Sequence, residues 1–334
     1  MAAYTAIDDP EAYFQVKIYT GNGSTPSITL DGDEDMQPDL VWIKNRDTTD
    51  SHCLFDAVRG AAEVLHSDTT DAETTDADTL TSFDSDGFAL GADVKVNTDT
   101  EAYVAWNWKE SATAGFDIVA YQGTGSTRTI SHNLSAVPHC ILIMPRTNAG
   151  YGKSMYHHKN TAAPETDVLV LNTTAATSDN ADYWNDTAPT SSVFTLDTLE
   201  AVNENGGTRY YIAYLWSEKQ GFSKFGSYTG NGDADGTFVY TGFRPAFFMV
   251  KRTDSTDYWG MFDNKKDPHN QVGGRFWANE GSAESTGQAM DFLSNGFKIR
   301  ATNAYWNASG GTYIYMAFAE APFVNSNGVP CNAR

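Results

Sequence analysis

Short runs of alternating apolar and polar residues, separated by clusters of Gly, Asn, Asp and Ser, fill this sequence from end to end. Gly87-Phe88-Ala89-Leu90, Val193-Phe194-Thr195-Leu196 and Gly296-Phe297-Lys298-Ile299 carry the two-residue period of strands. Apolar residues at helical spacing are nearly absent, and Phe55 to Gly60 is the one short helix candidate. The stretches from Ser67 to Thr81 and from Thr173 to Thr190, rich in Asp, Thr and Ala, are expected to be long surface loops.

The runs repeat. An alternating strand ending in Tyr-x-Gly-x-Gly occurs three times, with its tyrosine at Tyr19, Tyr121 and Tyr228, a spacing of roughly 105 residues. Behind each follows a proline and a hydrophobic strand: Pro38 before Leu40-Val41-Trp42-Ile43, Pro138 before Cys140-Ile141-Leu142-Ile143, and Pro245 before Phe247-Phe248-Met249-Val250. Proline suits the first position of a strand and not its bonded middle, so each is expected to mark a strand start. An aromatic strand closes each copy, beginning at Tyr103, Tyr211 and Tyr313. Aromatic and small residues alternate there, as in a strand with both faces at least partly covered. Three landmarks in one order at one period predict an all-β chain of three tandem jelly-roll or concanavalin-like β-sandwich modules, at residues 1–111, 112–220 and 221–334, the last with a C-terminal extension. The units are expected to stand in a row.

Composition narrows the function. With 22 Lys+Arg against 43 Asp+Glu the formal charge is -21, which argues against a nucleic-acid interface and favours solubility. Cys53, Cys140 and Cys331 form no CxxC pair, so neither a disulfide framework nor a zinc module is expected. The start Met1-Ala2-Ala3-Tyr4 lacks a basic region followed by an apolar core, and no run approaches the ~20 apolar residues of a membrane span. Synthesis in the cytoplasm without membrane insertion is the expectation.

Four stretches carry a resemblance: Thr5-Ala6-Ile7-Asp8-Asp9-Pro10-Glu11-Ala12-Tyr13-Phe14, the run from Thr81 to Phe88, the run from Lys224 to Gly232, and the ending from Ala321 to Cys331. Together they are similar to a family of structural proteins of marine tailed phages. That resemblance covers essentially the whole chain and implies a virion surface component with concanavalin-like or laminin-G-like sandwiches. It brings no catalytic residues and no cofactor. Implied partners are other virion proteins and a host-surface glycan or receptor, and a closed homo-oligomer is expected. Tail or fibre-associated attachment is the leading reading, with capsid decoration or a head fibre as the alternative and a glycan depolymerase as the third.

Candidate chemistry is sparse. The Glu-x-Asp-x-x-Glu signature of laminarinase-like glycosidases is absent. Asp-rich glycine turns could supply calcium ligands at Asp31, Asp33 and Asp35, at Asp84 and Asp86, and at Asp233 and Asp235, but none has EF-hand spacing, and solvated hairpin turns explain them as well. His157 and His158, beside Lys159, are expected to be exposed loop residues, since no nucleophile motif accompanies them. Aromatic pairs in polar surroundings, Tyr183-Trp184-Asn185, Tyr258-Trp259 and Tyr305-Trp306-Asn307, are candidate glycan-stacking sites. Rings that cap cores or fill subunit contacts would give the same pattern.

Overall fold

A computed structural model describes residues 3–204 and 208–331; Met1, Ala2 and the last three positions of the C-terminal extension lie outside them. The chain is all-β, built from antiparallel sheets. One strand order recurs along it. In residues 14–108, the first segment, Phe14–Thr20 pairs with Ala102–Trp108, which pairs with Leu40–Asn45, which pairs with Cys53–Asp56. The second segment, 116–216, orders Phe116–Gln122, Tyr210–Trp216, Cys140–Pro145 and Ser154–His157 in the same way. The third, 223–322, does so with Ser223–Thr229, Thr312–Pro322, Phe243–Arg252 and Trp259–Asp263. A smaller sheet backs each large one, built on Gly87–Leu90, Val193–Leu196 and Gly296–Ile299, the runs whose alternation is clearest in the sequence.

Two-residue periodicity decides where the core sits, because successive side chains leave a strand on opposite faces. Along Ala102–Trp108, Tyr103 and Ala105 enter a core shared with the first small sheet, while Val104, Trp106 and Trp108 enter a central core. The split repeats with Tyr211 and Ala213 against Ile212, Tyr214 and Trp216, and with Tyr313 and Tyr315 against Ile314, Met316 and Phe318. The central core therefore draws on all three segments at once. Units in a row would each keep a separate interior; here the three large sheets turn their inner faces toward one another.

The segments meet through like contacts. Tyr214 donates to Asp56 at 2.7 Å, Trp106 Nε1 donates to Asp263 at 3.2 Å, and His157 Nε2 lies 3.1 Å from the Tyr315 carbonyl. Asp56, His157 and Asp263 are the last residues of corresponding strands, so each segment reaches the next with the same element and the third returns to the first. The two stretches read as surface loops, and a third one holding Glu284, do the rest: Glu73 N donates to Arg146 O, Thr177 N to Thr253 O and Glu284 N to Arg46 O, all between segments.

The Tyr-x-Gly-x-Gly signature has a physical cause. Tyr19 stacks on Tyr103 with centroids 5.2 Å apart, Tyr121 on Tyr211 at 5.2 Å and Tyr228 on Tyr313 at 4.9 Å, each at 11°. The hydroxyls of Tyr103, Tyr211 and Tyr313 bond into the one-turn helices Val94–Asn97, Glu200–Asn203 and Ala304–Asn307. Those helices end in Asn97, Asn203 and Asn307, whose side-chain oxygens accept from the backbone of Asn22, Thr124 and Asn231 in the glycine turn. A Cβ on Gly21, Gly123 or Gly230 would stand 2.1, 2.4 or 2.3 Å from a backbone carbonyl oxygen of the loop following the helix, so only glycine lets the two backbones meet.

Two local expectations need correction. Phe55 to Gly60 is the end of a strand and a turn, not a helix, because Phe55 and Asp56 complete a ladder with Leu40 and Val41. Pro245 lies inside Phe243–Arg252, at a register shift where its missing N–H costs no ladder bond.

Candidate functional site

The structure separates the members of the predicted aromatic pairs. Adjacent residues on a strand or a single helical turn point in different directions, and in each pair the tryptophan goes inward. Trp184 is buried and donates to Asp167 O at 3.1 Å, with Tyr183 half-buried and Asn185 exposed at the helix end. Trp259 joins the central core and donates to Val170 O at 3.3 Å. Trp306 is buried, and Asn307 belongs to the tyrosine and asparagine network described above. Trp184, Trp259, Trp306 and Asn307 are thus structural.

The tyrosines Tyr258 and Tyr305, by contrast, come together. Their ring centroids are 6.0 Å apart, and Trp277 completes the group at 5.0 Å from Tyr258 and 5.1 Å from Tyr305. Trp277 stands on Phe276–Trp277, where Phe276 turns into the central core and Trp277 turns the other way, half-buried and stacked on Trp306 at 5.8 Å. Arg275 lies 5.5 Å from the Trp277 centroid and 5.3 Å from that of Trp306. Its Nη1 donates to Gly273 O at 3.3 Å while its Nε has no partner, and burial holds its guanidinium below the ordinary range. Tyr305 is 36% exposed and Tyr258 and Trp277 are half-buried, so the three rings form a surface platform beside a cation with donor capacity to spare. The sequence reading missed Trp277 and Arg275; the run Arg275-Phe276-Trp277 was the available signal.

The aspartate turns are occupied by the protein's own groups. Asp31 pairs with Lys17 at 2.5 Å, and Asp235 with Lys298 at 2.6 Å and Arg300 at 3.5 Å, which holds the Asp235 carboxyl below its usual range. Asp233 accepts from Asp235 N at 2.9 Å, and Asp86 from Met36 N at 3.3 Å. Asp84 accepts from Ser82 at 2.7 Å, and Asp33 and Asp35 are exposed.

Among the described residues, the three-ligand group whose donor atoms lie within 4.8 Å of one another is His139, His158 and Glu218. Its chemistry does not fit a cation. His139 Nδ1 accepts from Glu218 N at 3.0 Å, which uses the single lone pair of the neutral ring. Lys224 already sits 2.5 Å from Glu218 Oε1. The histidines are braces between the second and third segments: His158 Nε2 bonds Phe225 O at 2.7 Å, and burial pushes its pKa down to about 4. His157, expected in an exposed loop, is instead buried at the end of Ser154–His157, and burial pushes it down to about 3. All three cysteines are free thiols.

No helix among the described residues is long and apolar enough to cross a membrane. No curated protein matches the sequence. A family match spans residues 9–322, nearly the whole described fold, and the chain therefore belongs to the family described as a domain of unknown function (DUF7483).

Proposed function

We propose that this chain is a non-enzymatic surface protein of a tailed-phage particle, made of three copies of one jelly-roll-like sandwich module, that binds a glycan through the platform of Tyr258, Trp277 and Tyr305. The observation that carries the binding reading is that part-exposed three-ring surface beside Arg275. Stacking on ring faces suits the apolar face of a sugar, and the neighbouring Arg275 guanidinium suits its hydroxyls. The repeated sheet order and the repeated tyrosine stack support the three-copy reading. The phage assignment rests on the sequence resemblance.

The test uses the full chain on a glycan array and on candidate host cells. Wild type is expected to bind a defined glycan set, with Tyr305→Ala weakening binding at least tenfold at unchanged melting temperature and Trp277→Ala doing so at a lowered one, because Trp277 also packs on Trp306. Release of reducing sugar during the assay, or binding indifferent to both substitutions, overturns the proposal. Capsid decoration is the second reading, favoured by the near-threefold arrangement of the sheets around one core, which suits a seat on a threefold position of a shell. Gold-labelled antibody on purified particles separates head from tail.

A further inference from the structure

The three junctions between segments are alike in backbone and differ in side chains. At the bond from Glu73 N to Arg146 O the side chains form an ion pair at 2.7 Å, and at the bond from Glu284 N to Arg46 O they form one at 2.6 Å. The corresponding bond between the second and third segments joins Thr177 to Thr253, whose side chains form no ion pair; the charge nearby is that of buried Lys251, which donates to Thr174 O at 3.3 Å. A second difference accompanies the first. Three residues beyond Asp56 and Asp263 stand Arg59 and Lys266, cations fully buried on those carboxylates. Three residues beyond His157 stands Asn160. Where opening and closing strands meet, Gln122 faces Tyr210 in the second segment, while Thr229 faces Thr312 in the third and Thr20 faces Ala102 in the first, so this pair is shortened relative to the junction of the first and second segments alone.

Shortening each of these side chains leaves space. A cleft of about 520 Å³ opens between the second and third segments. Hydroxyls of Thr161, Thr177, Thr229, Thr253 and Thr312 line it, with the amide of Asn160 at its wall. Asn160 is only 8% exposed. Thr177 bonds one end of its amide at 2.6 Å, and the other end has no partner. Of the two charges at the cleft, Asp254 is bound to Arg252 at 2.8 Å and Lys159 is exposed.

We propose that this cleft is a binding site for a neutral polyhydroxylated ligand, a short stretch of uncharged carbohydrate. Thr177 gives its proton to Asn160, Thr161 to Asp167, and Thr253 and Thr312 share one between them, which leaves oxygen lone pairs that can accept from sugar hydroxyls in place of water. The volume lies within the range of small-molecule sites. A formal charge of -21 weighs against acidic saccharides. The site is separate from the aromatic platform, and either can fail without the other.

The experiment gives the open junction the side chains of the closed ones. Saturation-transfer NMR and calorimetry on the full chain use neutral trisaccharides of glucose, galactose and mannose, with a uronic-acid trisaccharide as charged control. Wild type should bind at least one neutral trisaccharide, and the double variant T177E/T253R should bind it at least tenfold more weakly while melting no lower. Thr312→Tyr, which fills the cleft from the third segment alone, gives an independent reading if the double variant folds poorly, and the same loss is expected. Each cleft variant is also made in a Tyr305→Ala background, where the platform's own contribution is removed and the remaining trisaccharide binding reports on the cleft. Absence of binding to every neutral trisaccharide, equal binding of the uronic-acid control, or binding that survives both cleft variants overturns the proposal.

Discussion

The hydroxyl of Tyr214 donates to the carboxylate of Asp56 at 2.7 Å, joining the second segment to the first inside a buried group that includes Arg59 and Glu73. Tyr214→Phe removes that bond and a long one accepted from Arg59 at 3.4 Å but leaves Asp56 paired, so it should cost about 1–2 kcal/mol. Arg59→Met strands a buried carboxylate and should cost about 3–5 kcal/mol. Urea denaturation of both variants measures the difference; equal costs would show that the ion pair does not hold this junction.

Replacing Gly21 by Ala puts a Cβ 2.1 Å from Thr98 O, an atom fixed by the backbone. The turn and the helix after Val94 must then separate, at a cost of about 2 kcal/mol or more. Thr20→Ala, one residue earlier and exposed, should change stability by less than about 0.5 kcal/mol. A Gly21→Ala variant with the wild-type denaturation midpoint would refute the close-approach account of the motif.

Acid should weaken the fold through His157. Burial pushes its folded pKa down to about 3, below the value of about 6.5 expected in an unfolded chain. Between these values the unfolded chain takes up a proton that the folded one does not, so stability is lost as pH falls below about 6.5. At pH 5 this amounts to about 2 kcal/mol. His157→Gln keeps a donor for Tyr315 O and removes the titration. The variant should lose about 2 kcal/mol less than wild type between pH 7 and pH 5; parallel pH profiles would exclude His157 as the source.

Glu110 works in the opposite direction. Burial and a hydrogen bond with Asp117 push its carboxyl up to about 7. A raised folded value gives stability that is complete below the ordinary carboxyl range and lost as pH rises through about 7. Glu110→Gln imitates the protonated form. It should melt like wild type near pH 5 and a few degrees higher near pH 8, as scanning calorimetry can record.

Much of the fold was legible because its landmarks are backbone constraints. Tyr-x-Gly-x-Gly marks a site where two chains touch, and the tyrosine opening each aromatic strand is its stacking partner. The central core was less legible. Alternation in Tyr103 to Trp108 says that both faces are covered, but nothing local says that Trp106 meets Phe247 from the third segment. Glu73 and Thr177 were hidden for a related reason: in an Asp- and Thr-rich stretch, a residue that crosses a junction looks like one facing water. The aromatic pairs misled because neighbours in sequence were assumed to share a face. Tyr258 finds its partners in Trp277 and Tyr305, while Trp259 lies in the core.

Three junctions within one polypeptide are free to diverge in a way that three identical subunits are not. In a trimer of equal chains, a mutation from glutamate to threonine strikes every contact together, and the whole assembly loosens. Here Glu73 and Glu284 pair with arginines while Thr177 meets Thr253, so two seams carry an ion pair that the third does without.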